Sequence, residues 1–227
     1  KSPNIIFADA ENLEEAAKVS TMGIFRNSGE VCVAGSRLLV EDKIHNEFLK
    51  LVSEYSQKLK IGDPLEIKND VGAINSLSQL QSDLDFVEKA KSEGGNIEIG
   101  GNRILKSSGG FYMEPTIISS VKQETEVFQN EVFGPILTVT AFSNEDEAIK
   151  LANGTDFGLA SGIWTSNLSR AHKMVKKIKA GTVFVNTYGG SDNTIPLTGV
   201  KQSGNGSDKS LHALDKFTDL KSVWMKL

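Results

Sequence analysis

The chain has 227 residues, of which 39% are hydrophobic and 24% charged, and its formal net charge is −4 at pH 7, values typical of a globular domain with ample core. Acidic and basic residues are interspersed, which argues against a nucleic-acid partner, and no cluster has the spacing of metal ligands. No apolar run approaches the roughly 18 residues of a membrane helix and no signal peptide opens the chain, so we expect a cytoplasmic protein without a membrane partner.

Short apolar runs alternate with segments of helical periodicity along the chain. In chain order the pattern predicts a strand at 4–7, a helix at 13–24, a strand at 37–40, helices at 42–59 and 76–91, a strand at 135–142, a helix at 144–153, a strand at 158–165, a helix at 167–179, a strand at 182–185, a helix at 208–217 and a strand at 220–224. Strands that alternate with helices in this way predict an α/β fold with a largely parallel sheet.

Residues at the boundaries of these segments fit helix caps and loops. Asp42 and Asn144 are placed to cap the starts of their helices, and Gly181 follows a helix as a C-cap. Asp83 and Asp85 lie within a predicted helix and are interpreted as solvated charges. Residues 187–205 form a long irregular segment, and such loops are usually functional or flexible.

Cys32 is the only cysteine of the chain. One thiol closes no intramolecular disulfide and builds no structural zinc site, and a single cysteine fits a reducing compartment. Gly29 and Gly35 permit tight turns on both sides of the sulfur, which favours a nucleophile. Free cysteines are nevertheless often buried for structural reasons, so composition alone leaves a nucleophile, a core residue and a surface thiol open.

Four segments resemble motifs of one enzyme family. The first is FRNSGEVCVAGSR at residues 25–37, which fits the pattern F-x-N-x-G-[QE]-x-C-x-A-x-x-R. The others are EVFGPI at 131–136, GTVFVN at 181–186 and GVKQSG at 199–204. By these motifs the chain resembles the catalytic half of the aldehyde dehydrogenase superfamily over essentially its whole length. The resemblance implies a three-layer α/β domain with an open, largely parallel sheet.

The resemblance also implies a role for each matching residue. Cys32 would attack the aldehyde carbon as the nucleophile, with its own backbone N–H as one oxyanion donor. Glu131 would accept hydrogen bonds from the ribose next to the nicotinamide, and Phe133 would pack beside the nicotinamide ring. The implied cofactor is NAD or NADP, the implied partner is a small aldehyde, and the parent protein would be a homo-oligomer, either a dimer or a tetramer.

Arg26 and the tail of the chain bear on the substrate. The F-R-N sequence around Arg26 resembles semialdehyde dehydrogenases in which this arginine binds a substrate carboxylate, as the forked guanidinium is suited to do. Residues 201–214 resemble the γ-glutamyl-γ-aminobutyraldehyde dehydrogenases of putrescine breakdown, whose substrate is also acidic. We therefore expect an aldehyde with an acidic tail, and a solvent-facing Arg26 is the alternative. Leu197 departs from the family because it replaces a phenylalanine that usually walls the substrate tunnel.

Parts of the family's machinery have no counterpart in these residues. No G-x-G-x-x-G follows a strand, and the general-base glutamate of the family lies just before the position matched by Lys1, with the oxyanion asparagine further upstream. The sequence is therefore interpreted as a catalytic fragment of a longer product, which we expect not to turn over aldehyde with NAD by itself.

This interpretation divides the chain into three parts and leaves two other functions open. Residues 1–198 would be the nucleophile domain, 199–218 would cross toward a coenzyme domain as a loop and helix, and 219–227 would hold an oligomerisation-type strand. The alternatives are a cofactor-independent cysteine thioesterase or acyltransferase and a non-catalytic folded module.

Overall fold

The computed structural model describes residues 1–190 and 192–227, so position 191 of the predicted loop 187–205 lies outside the described residues. The helices are α1 (Leu13–Phe25), α2 (His45–Gln57), α3 (Leu77–Ser92), α4 (Glu126–Gln129), α5 (Glu145–Asn153) and α6 (Leu168–Lys177). The strands are β1 (Pro3–Ile6), β2 (Arg37–Glu41), β3 (Asn96–Ile99), β4 (Arg103–Ile104), β5 (Tyr112–Met113), β6 (Thr116–Ser119), β7 (Ile136–Phe142), β8 (Phe157–Gly158), β9 (Ala160–Trp164), β10 (Thr182–Val185), β11 (Leu197–Thr198), β12 (Val200–Lys201) and β13 (Ser207–Asp208).

The main sheet joins seven of the described strands in the order β10-β9-β1-β2-β7-β6-β3. Every neighbouring pair is parallel except the edge pair of β3 and β6. In the middle of the sheet Ile5 of β1 lies beside Leu39 of β2 and Ile163 of β9. The predicted open, largely parallel sheet is confirmed.

Helices cover both faces of this sheet. Successive side chains of a strand point to opposite faces, so neighbouring residues enter different cores. Ile5 joins the core packed against α3, α5 and α6, whereas Ile6 joins the core packed against α1 and α2. The three-layer arrangement implied by the family resemblance is therefore confirmed. None of the helices in the described ranges is both long enough and apolar enough to span a bilayer.

Helix boundaries confirm one predicted cap and correct two others. Asn144 accepts a hydrogen bond from the backbone N–H of Glu147 and caps α5 as predicted. Asp42 is not the cap of α2, because it opens a 3₁₀ turn and α2 begins at His45 without a side-chain cap. Gly181 does not cap α6, which ends at Lys177 and already turns to extended backbone at Ile178.

Other corrections concern the sheet edge and the tail. The periodicity missed β3 and β6, since each has only four residues and β3 lies half-exposed at the edge. The predicted helix 208–217 is instead a 3₁₀ turn over Leu211–Phe217. The segment 220–224 has no strand partner among the described residues, and its side chains are exposed to solvent. Its expected pairing with a second subunit stays a prediction.

Arg37, the last residue of the first motif, connects the sheet with the end of a helix. Its buried guanidinium donates to the carbonyl oxygens of Lys1, Leu151 and Ala152 at 3.1, 2.8 and 2.8 Å. The cation thus lies at the C-terminus of α5, where a positive charge is favourable, and it stacks 4.7 Å from the centre of the Phe128 ring. Burial lowers the pKa of Arg37 to about 9, which leaves the group charged at neutral pH.

Replacing Arg37 by methionine should lower the free energy of unfolding by roughly 3 kcal/mol, because three buried carbonyls lose their donor. Urea unfolding of the whole protein measures the effect. The control is Lys50→Met, which removes a cation that is 78% exposed on α2 and should change stability by less than about 0.5 kcal/mol. Equal losses in the two variants would contradict a structural role for the motif arginine.

Candidate active site

Cys32 lies on a loop between α1 and β2 that we call the thiol loop, residues 26–36. The loop starts with an unusual turn in which Asn27, Ser28 and Gly29 all have positive φ, at 52°, 57° and 75°. The left-handed conformation is unfavourable for residues other than glycine, so neighbouring groups must hold such a turn in place.

The first half of the thiol loop is held by the segment that precedes α3. The buried Ser28 hydroxyl donates to the Gly72 carbonyl at 2.9 Å, and the Asn27 amide donates to the Glu30 carbonyl at 3.1 Å. Both carboxylate oxygens of Glu30 accept from the Asn75 N–H at 3.1 Å. Burial raises the pKa of Glu30, and the hydrogen bond from Asn75 opposes this.

The second half of the thiol loop is held by Tyr188. Its hydroxyl donates to the Val33 carbonyl at 2.9 Å, and burial raises its pKa, so it remains a donor. The ring fits against three glycines, because added Cβ atoms would lie 3.1, 3.0 and 2.5 Å from it at Gly23, Gly35 and Gly162. Residues far apart in sequence thus fix the backbone that follows the cysteine.

Cys32 itself lies between these two anchors with its thiol exposed. Within the part of the chain that the structure describes, its backbone N–H donates to no acceptor. An accessible sulfur beside a free N–H can attack a carbonyl carbon while the N–H stabilises the developing oxyanion.

Two grooves meet at the thiol loop, although Cys32 itself lines neither of them. The larger has a volume of about 750 Å³ and runs between the thiol loop, β10, and residues 189–190 and 195–197. The smaller has a volume of about 250 Å³ and lies between α1 and the thiol loop. Arg26, Val31 and Val33 line both grooves, and Leu197 lines the larger one. The Arg26 side chain is exposed and forms no ion pair within residues 1–190 and 192–227, so it is available to bind an anion.

The other predicted site residues lie on the segment 131–134. Glu131 has a side chain that is 37% exposed, and Phe133 is 41% exposed and has a φ of 61°. Val132, which lies between them, and Gly134, which follows, are both buried. The carboxylate and the aromatic ring therefore face solvent from a buried backbone.

The thiol loop and the segment 131–134 pack closely against each other at Gly29 and Gly134. A Cβ added to Gly29 would lie 2.1 Å from the Gly134 carbonyl oxygen, and one added to Gly134 would lie 2.3 Å from a carboxylate oxygen of Asp83. Only glycine allows such close backbone packing. The structure thus joins the loops of Cys32, Arg26, Glu131 and Phe133 into one site.

Two residues of this site were missed at the level of sequence. Asp83 was predicted to be solvated, but it is fully buried on the same stripe of α3 as Leu80 and Val87. That spacing of three and seven residues is the signal that could have revealed its burial. Tyr188 gave no such signal, since its partners are scattered along the chain.

Replacing Gly29 by alanine should lower the free energy of unfolding by roughly 3 kcal/mol, since it adds a backbone clash to the strain of a positive φ. Gly94→Ala is a matched control, because Gly94 also has a positive φ (93°) but an added Cβ would meet nothing within 4 Å. We expect a loss of roughly 1 kcal/mol there. Hydrogen exchange within the thiol loop should accelerate in Gly29→Ala only, and acceleration in both variants would contradict the packing argument.

Known proteins resemble the chain throughout. The sequence model of the aldehyde dehydrogenase family matches residues 1–223. The NADP/NAD-dependent aldehyde dehydrogenase PuuC of Escherichia coli K12 is 44% identical over 227 residues, which is 100% of this chain and 45% of that protein. A betaine aldehyde dehydrogenase of Rhizobium etli is 38% identical over 99% of this chain and 46% of its own length.

Solved structures share both the fold and the sequence. An indole-3-acetaldehyde dehydrogenase solved with NAD+ superposes with a TM-score of 0.96 at 48% identity, over 100% of this chain and 46% of that one. A γ-glutamyl-γ-aminobutyraldehyde dehydrogenase of Burkholderia cenocepacia has a TM-score of 0.94 at 44% identity, over 97% of this chain and 44% of that one. The chain spans slightly less than half the length of these relatives, and it belongs to the aldehyde dehydrogenase family.

Proposed function

We propose that this chain supplies the nucleophile half of an NAD- or NADP-dependent aldehyde dehydrogenase that oxidises an aldehyde with an acidic tail to a carboxylate. The observation that supports this most is the junction of Gly29 with Gly134. It holds an exposed cysteine with a free N–H against a segment that presents a carboxylate and an aromatic ring to solvent.

Cys32 would act as a thiolate that adds to the aldehyde carbon and forms a tetrahedral thiohemiacetal. Its N–H would donate to the oxyanion, an interaction of the kind that contributes roughly 3 kcal/mol to the transition state. Loss of hydride from this carbon leaves a thioester on Cys32, which water then hydrolyses to the carboxylate. The anchors at Ser28 and Tyr188 hold the backbone before and after Cys32.

The residues on segment 131–134 fit the nicotinamide riboside part of a coenzyme. The exposed Glu131 carboxylate can accept hydrogen bonds from ribose hydroxyls, and the exposed Phe133 ring can cover one face of a flat heterocycle. When bound, NAD or NADP would accept the hydride. PuuC is named as NADP/NAD-dependent, which supports either coenzyme.

The whole protein would complete this site and place it in the cell. We propose that 1–198 is the nucleophile domain, that 199–218 crosses toward a coenzyme domain, and that 219–227 pairs with a second subunit of a homo-oligomer in the cytoplasm. The general base and the pyrophosphate site would come from the coenzyme domain. The chain by itself would then not sustain NADH production.

Arg26 would set the preference for an acidic substrate. It is exposed at the meeting point of the two grooves, a few residues from the nucleophile, without a carboxylate partner in the described chain. The likeness to a γ-glutamyl-γ-aminobutyraldehyde dehydrogenase supports such a substrate. Leu197, which lines the larger groove together with Arg26, is smaller than an aromatic residue and would leave room for a longer tail.

Cys32→Ser should reduce NADH formation by the whole protein by at least about 10³-fold, because a hydroxyl is a far weaker nucleophile at neutral pH. The measurement is the absorbance of NADH formed with a panel of aldehydes. The control is that the variant and the wild type unfold at the same temperature. If the wild type hydrolyses p-nitrophenyl acetate but forms no NADH from any aldehyde, a cofactor-independent thioesterase is favoured instead. Normal turnover by the serine variant would exclude the proposed role of Cys32.

Arg26→Ala should raise KM for aldehydes with a terminal carboxylate by about tenfold or more and leave KM for neutral aldehydes unchanged, since only the former lose a charge-assisted pair. Arg26→Lys keeps the charge but not the forked geometry, so its KM should fall between those of the wild type and the alanine variant. A parallel change for acidic and neutral aldehydes would mean that Arg26 does not contact the substrate carboxylate.

A further inference from the structure

A buried carboxyl group lies beneath the segment 131–134, and the reaction described above does not use it. Asp83 is fully buried in the middle of α3, and one of its oxygens, Oδ2, has no hydrogen-bond partner among the described residues. A buried polar atom without a hydrogen-bond partner lowers the stability of the fold, so its presence calls for an explanation. Its other oxygen, Oδ1, accepts a hydrogen bond from Nε2 of Gln79 at 2.8 Å.

Gln79 links this carboxyl group to the site. The same Nε2 atom donates its second hydrogen to the carbonyl oxygen of Val132 at 2.9 Å. Both amide hydrogens are thus used, one on Asp83 and one on the segment between Glu131 and Phe133. An apolar residue at position 83 would let the amide rotate and turn Oε1 toward the Val132 carbonyl, where two acceptors would repel each other.

Asp83 also touches the segment directly. A Cβ on Gly134 would lie 2.3 Å from Oδ2 and 2.4 Å from Oδ1, so the carboxyl group packs flat against the backbone of this glycine. Val132 and Gly134 flank Phe133, which has a positive φ of 61° and needs support from its neighbours. The carboxyl group therefore supports the backbone on both sides of the exposed ring.

The protonation of Asp83 fits this role. Burial raises its pKa to about 7, the hydrogen bond from Gln79 opposes the rise, and the charge of Glu30 on the thiol loop adds to it. Within residues 1–190 and 192–227, no lysine or arginine forms an ion pair with Asp83. A neutral carboxyl group needs no countercharge and still offers Oδ1 to the Gln79 amide.

We propose that Asp83 is a positioning residue for the coenzyme: through Gln79 and through its contact with Gly134 it fixes the backbone that presents Glu131 and Phe133. This inference rests on the proposed function. Asp83 contacts neither coenzyme nor substrate and acts only through the segment 131–134.

The chain offers a matched control two residues further along the same helix, close to the opposite face. Gln81 Nε2 donates to Asp85 Oδ1 at 2.9 Å, which repeats the spacing and the chemistry of the pair formed by Gln79 and Asp83. Gln81 and Asp85 are both exposed, and no contact joins them to the segment 131–134 within the described chain. Asp85→Leu therefore removes an equivalent hydrogen bond away from the site.

Asp83→Leu in the whole protein should speed hydrogen exchange of the amides in 131–134 by about tenfold or more and raise the Kd for NAD+ or NADP+ by about tenfold. Exchange is read by mass spectrometry and the Kd by calorimetry. Asp83→Asn keeps an oxygen acceptor and should restore both values to within about twofold of wild type. Asp85→Leu should change neither. Thermal unfolding checks that each variant is folded, and Gln79→Met replaces Asp83→Leu if the latter does not fold.

The unfolding temperature provides a second readout because the raised pKa couples Asp83 to pH. In the unfolded chain Asp83 ionises near its ordinary pKa of 3.8, whereas in the folded protein it ionises near 7. Wild-type stability contributed by this group therefore falls as pH rises from about 4 to about 7 and is constant above. The unfolding temperature of Asp83→Asn minus that of the wild type should therefore increase from about pH 4 to about pH 7 and stay constant above pH 7.

Unchanged exchange in 131–134 on Asp83→Leu, or faster exchange with unchanged coenzyme affinity, would overturn the positioning role. Failure of Asp83→Asn to restore affinity would overturn it as well. If the wild type binds neither NAD+ nor NADP+, the proposed function fails, and the exchange rates still decide whether Asp83 orders the segment.

Discussion

The contact between Gly29 and the Gly134 carbonyl is the constraint on which the site depends. A single methyl group at Gly29 would overlap that oxygen, at 2.1 Å, so the thiol loop and the segment 131–134 cannot approach as they do with any other residue there. The contact also accounts for the strained turn before Cys32, because the positive φ values bring the loop down onto the segment. Strain stored in this way is typical of sites whose neighbours hold an unfavourable backbone in place.

The site lies at the amino ends of the parallel strands rather than at their carboxyl ends, where ligands of open α/β sheets usually bind. Cys32 precedes β2, and the segment 131–134 precedes β7. At this edge the buried guanidinium of Arg37 connects the start of β2 with the carbonyls that end α5. The last residue of the cysteine motif therefore has a structural role, although it belongs to the same motif as Cys32.

Much of the fold could be predicted from the sequence, because long amphipathic helices and apolar strands such as β1 and β7 carry clear periodicity. Short edge elements could not, since four-residue strands bury too little to leave a pattern. Motifs predict Cys32, Glu131, Phe133 and Arg26 as site residues. The prediction that Asp83 is solvated is wrong, because it rests on the charge of the residue and ignores the apolar stripe of α3 on which Asp83 lies. Tertiary contacts alone identify Tyr188, whose three glycine partners lie on different elements.

The candidate site combines exposed side chains with a buried scaffold, and under the proposed function this division would preorganise it. Cys32, Arg26, Glu131 and Phe133 all present their side chains to solvent. The residues that hold them, Ser28, Tyr188 and Asp83, are buried and use their hydrogen bonds on backbone carbonyls or on a side chain that in turn holds one. Since the holding groups face inward, the coenzyme domain of the proposed function could cover the exposed groups without disturbing their anchors. Preorganisation of this kind lets binding energy go into the transition state rather than into ordering the site.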